Sequence, residues 1–363
     1  MQGLYIHIPF CISKCVYCDF ASFAGIKRLR MPYLKALKRE IALQKKHYKN
    51  FNPRTLYVGG GTPSFLTNTQ IKFLFESIYN CYKNFKEITF EANPESLTLS
   101  KIKLLKNLGV NRISLGLQST FDRHLKTLSR AHNYAQFLKV YTQAKEYFNN
   151  VNVDLIAGLP KQTLAEFEDS IKTLISLKPQ HISVYGLQVE ESTPLYKTGY
   201  ICDDNLTRKM LESAEDMLQK SGFIHYEISN FSLPRHESKH NINYWLGGDY
   251  LGCGSAAASY MQGVRFQNTA NVKEYIKNLT QNKIPTVFEE KLHGKVKVGE
   301  EILLKFRMLN GFKPTQKMLK YFSKEFKILL DKKLIVKSSK LLKLSEEGKY
   351  FANAVFRYFV EPF

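Results

Sequence analysis

The sequence predicts an α/β protein, a partial (βα)6 TIM-type barrel followed by a small C-terminal winged-helix-like domain. Three observations lead there. Six runs rich in Val, Ile, Leu and aromatic residues alternate with stretches of helical periodicity as far as residue 190. Nearly all six end in glycine, proline or polar residues, where a barrel builds its site. Beyond residue 200 the alternation stops and the composition changes twice. The expected units are a barrel core over 1–200, a barrel extension over 201–283 and a C-terminal domain over 284–363.

The strand readings are LYIHIPF (4–10), TLYVGGG (55–61), EITFEANP (87–94), RISLGLQS (112–119), VNVDLIAGLP (151–160) and HISVYGLQVE (181–190). Each has strand length and β-favouring composition. Between them, 31–48 places Leu34, Leu37 and Ile41 on one helical face, and 67–82 opens on a capping residue before Ile71, Leu74, Phe75 and Ile78. Residues 100–109, 135–148 and 163–177 continue the alternation. Strand then helix, repeated six times, implies parallel strands with right-handed crossovers. A helix over 204–221 leads into a stretch (223–260) too punctuated to be one element. The tail predicts helices at 299–309, 314–322 and 324–332, a hairpin at LIVK–SSK–LLKL, and a final helix.

The chain has 363 residues with 44% hydrophobic composition, enough for one large core and a smaller one. No apolar run is long enough to span a membrane. The start, MQGLYIHIPFC, lacks the pattern of a signal peptide, so a cytoplasmic protein is expected. The formal charge of +21 favours acidic partners. Peripheral contact with a membrane surface stays open on this ground. Nucleic acid is disfavoured, because the lysines are scattered. The tail, with 17 Lys and Arg against 9 Asp and Glu, reads as a packing domain with a solvated basic face.

Six cysteines in a chain this long are not a disulfide framework. Cys11, Cys15 and Cys18 fall within eight residues, directly after the first strand. Zinc would need a fourth ligand, and His7 is the nearby candidate. A cubane iron–sulfur cluster tolerates three cysteines and leaves one iron open. Cys81, Cys202 and Cys253 stand apart and read as small buried hydrophobes, with Cys253 a lesser candidate for a further ligand. The second motif, GGGTPS (59–64), lets backbone approach a ligand closely.

CxxxCxxC after the first strand, with Tyr17 before the third cysteine and GGGTPS ending the second strand, resembles the radical S-adenosylmethionine superfamily. That resemblance implies a 4Fe–4S cluster on Cys11, Cys15 and Cys18, and an open iron chelated by the methionine end of S-adenosylmethionine. Electron transfer from the cluster cleaves the sulfonium in that superfamily. HIPFC, FEANPES, NRISLGLQS, LSRAH, NVDLIAGLPKQT and EISNF follow in order, as in the oxygen-independent coproporphyrinogen oxidases and the related HemW-type heme chaperones. This second resemblance covers essentially the whole chain.

Within that group three features favour the chaperones. Phe20 stands where the oxidases have a further cysteine. The chain begins ten residues before Cys11, whereas the oxidases have a long N-terminal extension. HNINYW (240–245) matches the HNxxYW motif associated with the HemW type. By resemblance, Tyr5, Gly60 and Glu91 contact the chelated S-adenosylmethionine. Tyr17, Gly61, Thr62, Gln118, Arg130 and Asp154 match positions that bind a second such molecule in the oxidases, although Arg130 and Asp154 could simply pair with each other. His240 and Trp245 are candidate heme contacts on one loop. The resemblance thus implies heme as ligand and a heme-acceptor protein, such as a respiratory enzyme, as partner. The alternative is radical decarboxylation of coproporphyrinogen.

Overall fold

Six parallel strands follow one another in chain order across a sheet: β1 (Gly3–Ile8), β2 (Thr55–Gly60), β3 (Glu87–Ala92), β4 (Arg112–Gln118), β5 (Val151–Ala157) and β6 (His181–Gly186). The structure is a computed structural model and describes residues 1–360. Helices follow each strand: α1 (Arg30–His47) after β1, α2 (Asn68–Tyr79) after β2, α3 (Leu99–Asn107) after β3. After β4 come α4 (Asp122–Thr127) and α5 (Tyr134–Tyr147), after β5 α6 (Leu164–Leu177), and after β6 α7 (Pro194–Lys197) and α8 (Asp204–Lys220). Thr67, Asn133 and Thr163 begin α2, α5 and α6 with reciprocal capping boxes, which satisfy backbone donors that a helix start would otherwise orphan.

The strands alternate strictly. Leu4, Ile6, Ile8, Phe90, Ile113, Leu115, Val151, Val153 and Ile182 are buried in the main core. The other face carries Tyr5, His7, Tyr57, Glu87, Glu91, Arg112, Ser114, Asn152, Asp154, His181 and Ser183. Parallel strands covered on both faces are commonly apolar throughout. Here the inner face is polar because much of it borders a cavity.

Among the described residues no ladder joins β6 back to β1. Instead β6 continues antiparallel to β8 (Asn230–Ser232) and then β7 (Ile224–Glu227), while β1 continues in parallel to β9 (Tyr250–Cys253). From β9 the sheet runs on through β10 (Ala258–Met261), β11 (Val264–Asn268) and β12 (Thr286–Lys291). HNINYW, expected on a loop, forms the short helix α9 (Lys239–Trp245). The carboxylate of Glu87 accepts from the backbone N–H of Lys239 and of His240, each at 2.9 Å, so an anion sits on the N-terminus of α9. The extension is tied to the barrel by Glu40 of α1. Buried, it accepts from Gly254 N at 2.7 Å, Asn268 Nδ2 at 2.5 Å and the Tyr275 hydroxyl at 2.5 Å, the last on α10 (Val272–Thr280).

The C-terminal part has its own core of Ile302, Phe306, Met318, Phe322, Phe326 and Phe359. It contains α11 (Gly294–Phe306), α12 (Gln316–Asp331), the hairpin β13 (Ile335–Ser338) and β14 (Leu341–Leu344), then α13 (Glu346–Tyr350) and α14 (Ala352–Phe356). The two helices expected at 314–322 and 324–332 are one element bent at Phe322, whose φ of −128° leaves the helical range. Backbone bonds from Ile228 N to Arg307 O and from Leu309 N to Tyr226 O fasten this part to the barrel. Arg208 of α8 also pairs with Glu347, and Lys349 with Glu215.

Candidate functional site

The C-terminal ends of the six strands open on a cavity of about 1220 Å³. The cysteine loop borders it on one side, and the segment of the C-terminal part around α13 and α14 lines it with Tyr350, Phe351 and Arg357. Cys11, Cys15 and Cys18 are free thiols, half-buried, and all three line this space. The loop returns on itself through Cys11 N to Phe23 O and Phe23 N to Pro9 O. Val16 and Tyr17 pack on an apolar cluster that includes Leu128, Ile156 and Leu195.

A chain of polar contacts ties two of the sulfurs together. The Thr62 hydroxyl donates to Cys11 Sγ at 3.4 Å. Asn93 Nδ2 donates to Thr62 Oγ1 at 3.1 Å, and Asn93 Oδ1 accepts from Arg130 Nη2 at 2.8 Å. Arg130 also donates to Gly116 O at 2.8 Å and, through Nη1, to Cys15 Sγ at 3.5 Å. Both donors stabilise negative sulfur. Burial pushes the thiols of Cys11 and Cys18 up; a bound iron would have to displace their protons against that tendency. Among the described residues no group of three His, Cys, Asp or Glu is arranged to hold a single ion. His7 has both nitrogens engaged, Nε2 donating to Ala21 O and Nδ1 accepting from Tyr5 OH, each at 2.9 Å. It braces the cysteine loop and is not a zinc ligand here. Three thiols around an open space, two of them receiving donors, fit a cubane cluster with one uncommitted iron.

The glycines of GGGTPS are each pressed by a different neighbour. A Cβ on Gly59 would lie 2.8 Å from the Glu91 carboxylate, one on Gly60 2.6 Å from the His7 ring, and one on Gly61 3.1 Å from Cys11 Sγ. Gly60 also has φ of +111°, a backbone that side chains resist. Glu91 accepts from the Tyr57 hydroxyl at 2.6 Å and from Gly60 N at 3.1 Å, and burial pushes its carboxyl up to about 7. Gln118 holds φ of +75° at a bulge in the β4–β5 ladder. Such strain in a non-glycine residue accompanies functional sites.

Asp154 and Arg130 do not pair. Asp154 accepts from Asn152 at 2.7 Å, while Arg130 serves Asn93, Gly116 and Cys15. His240 and Trp245 do not line the cavity, although Asn241 between them does. His240 is 1% exposed, and its ring bridges Thr55 Oγ1 at 2.8 Å and the Tyr244 hydroxyl at 2.7 Å. Burial pushes it down to about 3, so it is neutral. With both nitrogens bonded it fastens α9 to β2, and in this arrangement it is no heme ligand. Trp245 is half-buried beneath the Arg307 guanidinium, 4.2 Å from its ring centroid, so it supports the C-terminal part. Cys253 is buried away from the cavity, whereas Cys81 and Cys202 are half-buried. Asn93 and Arg112 were missed as site residues, though both lie within quoted motifs. A polar residue just past a strand and an arginine opening an alternating strand were their signals.

Comparison with known proteins agrees with this geometry. Residues 5–174 match the family model of the radical SAM superfamily. The chain is 34% identical to the heme chaperone HemW of Bacillus subtilis, over 99% of both chains. It is 33% identical to that of Lactococcus lactis, over 99% of this chain and 97% of the other. It is 32% identical to that of Mycobacterium tuberculosis, over 98% and 94%. Its fold matches coproporphyrinogen III oxidase (HemN) from Escherichia coli with a TM-score of 0.87, covering 100% of this chain and 90% of that one at 22% identity. With its sulfur loop, its glycine segment and this whole-length likeness, the chain belongs to the HemW family of the radical SAM superfamily.

Proposed function

We propose that the protein binds heme in the cavity beneath its C-terminal part and passes it to an acceptor protein, with a 4Fe–4S cluster and S-adenosylmethionine as its cofactors. Whole-length identity with proteins named heme chaperone HemW carries this reading. Phe20 supports it: at the position where the oxidase pattern has a cysteine, the residue is 64% exposed and lines the cavity. An apolar aromatic surface suits a flat macrocycle.

Cys11, Cys15 and Cys18 hold the cluster, which when bound supplies an electron source and an open iron for the methionine end of S-adenosylmethionine. Around it the chain's own groups act by position. Thr62 and Arg130 donate to two of the sulfurs. Gly60 and Gly61 clear the space beside the loop, and Tyr5, through His7, holds its base. Glu91, a buried acceptor at the cavity, would take the ribose hydroxyls. Tyr17, within the cysteine loop, and Gln118 and Asp154 on the strands also line the cavity and are the groups we assign to a second S-adenosylmethionine.

Among the described residues no helix is long and apolar enough to cross a membrane. We place the protein in the cytoplasm, with a respiratory enzyme as acceptor and its basic surface available for peripheral contact with a membrane. The deciding test is anaerobic reconstitution of the cluster, followed by hemin titration and coproporphyrinogen assay on one sample. Saturable heme binding with no conversion to protoporphyrinogen is expected. Sustained turnover of coproporphyrinogen would overturn the assignment in favour of the oxidase.

A further inference from the structure

Arg112 opens β4 on the inner face of the sheet, is 2% exposed, and lines the cavity. Among the described residues no hydrogen bond, ion pair or ring stack engages its guanidinium, and its Nε is a buried donor without an acceptor. A cation withdrawn from water without a partner is costly, and chains rarely keep one without use. Carboxylates stand near enough for their fields to act on it, namely Glu91 and Asp154. Neither makes an ion pair with it: both oxygens of Glu91 accept from Tyr57 and Gly60, and Asp154 Oδ1 accepts from Asn152. Glu87, at the same end of the neighbouring strand, is taken up by the N-terminus of α9. Among the described residues nothing completes the five donors of this guanidinium.

We propose that Arg112 receives a carboxylate of a ligand entering through the cavity. The planar fork of arginine matches a carboxylate with two parallel hydrogen bonds, a geometry that lysine lacks. Two ligands bring that group: heme through a propionate, and S-adenosylmethionine through its methionine carboxylate. The heme arm rests on the function proposed above.

The test uses the full chain, anaerobically reconstituted, as wild type and Arg112→Gln. Four probes are titrated: hemin, hemin dimethyl ester, S-adenosylmethionine, and methylthioadenosine, which lacks the amino-acid arm. For whichever ligand supplies the carboxylate, wild type should prefer the form that carries it by roughly tenfold to a hundredfold, the strength of a charge-assisted hydrogen bond. Arg112→Gln should erase that preference for hemin, or cut it by the same factor for S-adenosylmethionine, whose amino-acid arm keeps its hold on the cluster, and leave the other pair unchanged. Loss confined to hemin assigns the site to a propionate, and loss confined to S-adenosylmethionine assigns it to the methionine end. Wild type that binds no hemin at all would defeat the proposed function, while the S-adenosylmethionine pair would still decide the role of Arg112. If Arg112→Gln does not fold, Arg112→Lys keeps the charge without the fork and should give an intermediate preference. Equal affinity of wild type for both members of each pair would overturn the proposal without recourse to any variant.

Discussion

Replacing Asn93 with alanine should loosen the cysteine loop without touching a sulfur ligand. Asn93 stands between Arg130 at 2.8 Å and Thr62 at 3.1 Å, and these in turn reach Cys15 and Cys11. A hydrogen bond to a charged group contributes roughly 1.5–3 kcal/mol and a neutral one about 0.5–1.5. Arg130 keeps its bond to Gly116 O, so the expected loss is roughly 2–3 kcal/mol, in the lower half of the summed range. The assay is urea unfolding of the reconstituted protein, read alongside the rate at which a chelator strips its iron. Asn93→Ala should unfold at lower urea and lose iron faster. Thr62→Val, close in shape but without the hydroxyl, should do the same to a smaller degree. Because both act through one network, the double variant should lose less than the sum, with a coupling of about 0.5–3 kcal/mol. Strict additivity, with iron release unchanged in Asn93→Ala, would refute the idea that this network holds the two sulfurs.

The remaining expectations can be checked on the same preparations. Cys11→Ala, Cys15→Ala or Cys18→Ala should each abolish the iron–sulfur chromophore, while Cys81→Ala should retain it; stoichiometric zinc in place of iron would end this reading. Gly60→Val should weaken S-adenosylmethionine binding roughly tenfold or more, since it strains a backbone at φ of +111° and drives the His7 ring aside; unchanged affinity would remove the loop from the site. His240→Ala should cost roughly 3 kcal/mol of stability through two lost hydrogen bonds and a cavity, yet leave the Soret band of the heme complex where it was; a shifted band would make His240 a ligand after all. Burial pushes Glu40 and Glu91 up to about 7 from an ordinary 4.5. The folded chain therefore holds protons that the unfolded chain has released, and stability should fall as pH rises from about 4.5 to 7, by roughly 3 kcal/mol per group. Glu40→Gln should flatten that slope, and a rise in stability across the window would contradict it.

Most of the barrel was legible because its signals are local. The six strands fall within a few residues of their expected positions, and α2, α5 and α6 start at side chains whose capping chemistry is written in the sequence. The cysteines and glycines of the site could be read for the same reason, since each motif occupies one loop. What escaped was non-local. Nothing near Asn93 in sequence says that Thr62 and Arg130 meet on it. HNINYW offered imidazole, phenol and indole in six residues, a plausible heme surface. Its partners Thr55, Glu87 and Arg307 lie far away in sequence and turn it into a structural plug. The continuation of the sheet through β7 to β12 was likewise hidden, because short strands that pair at both edges of a barrel carry little pattern of their own.

The alternation along β1 to β6 also guards the fold against its own errors. In a strand, a slip of one residue exchanges the two faces. Here such a slip would press Glu87, Glu91, Arg112 or Asp154 into the apolar layer beneath the helices and turn Phe90, Ile113 or Val153 toward the cavity. Each misplaced side chain would exchange its polar surroundings at the cavity for an apolar layer, at a cost of several kcal/mol. The residues that face the ligands are thus also a proofreading device: strands that assemble out of step expose the mistake as an unsolvated charge and are driven back into register.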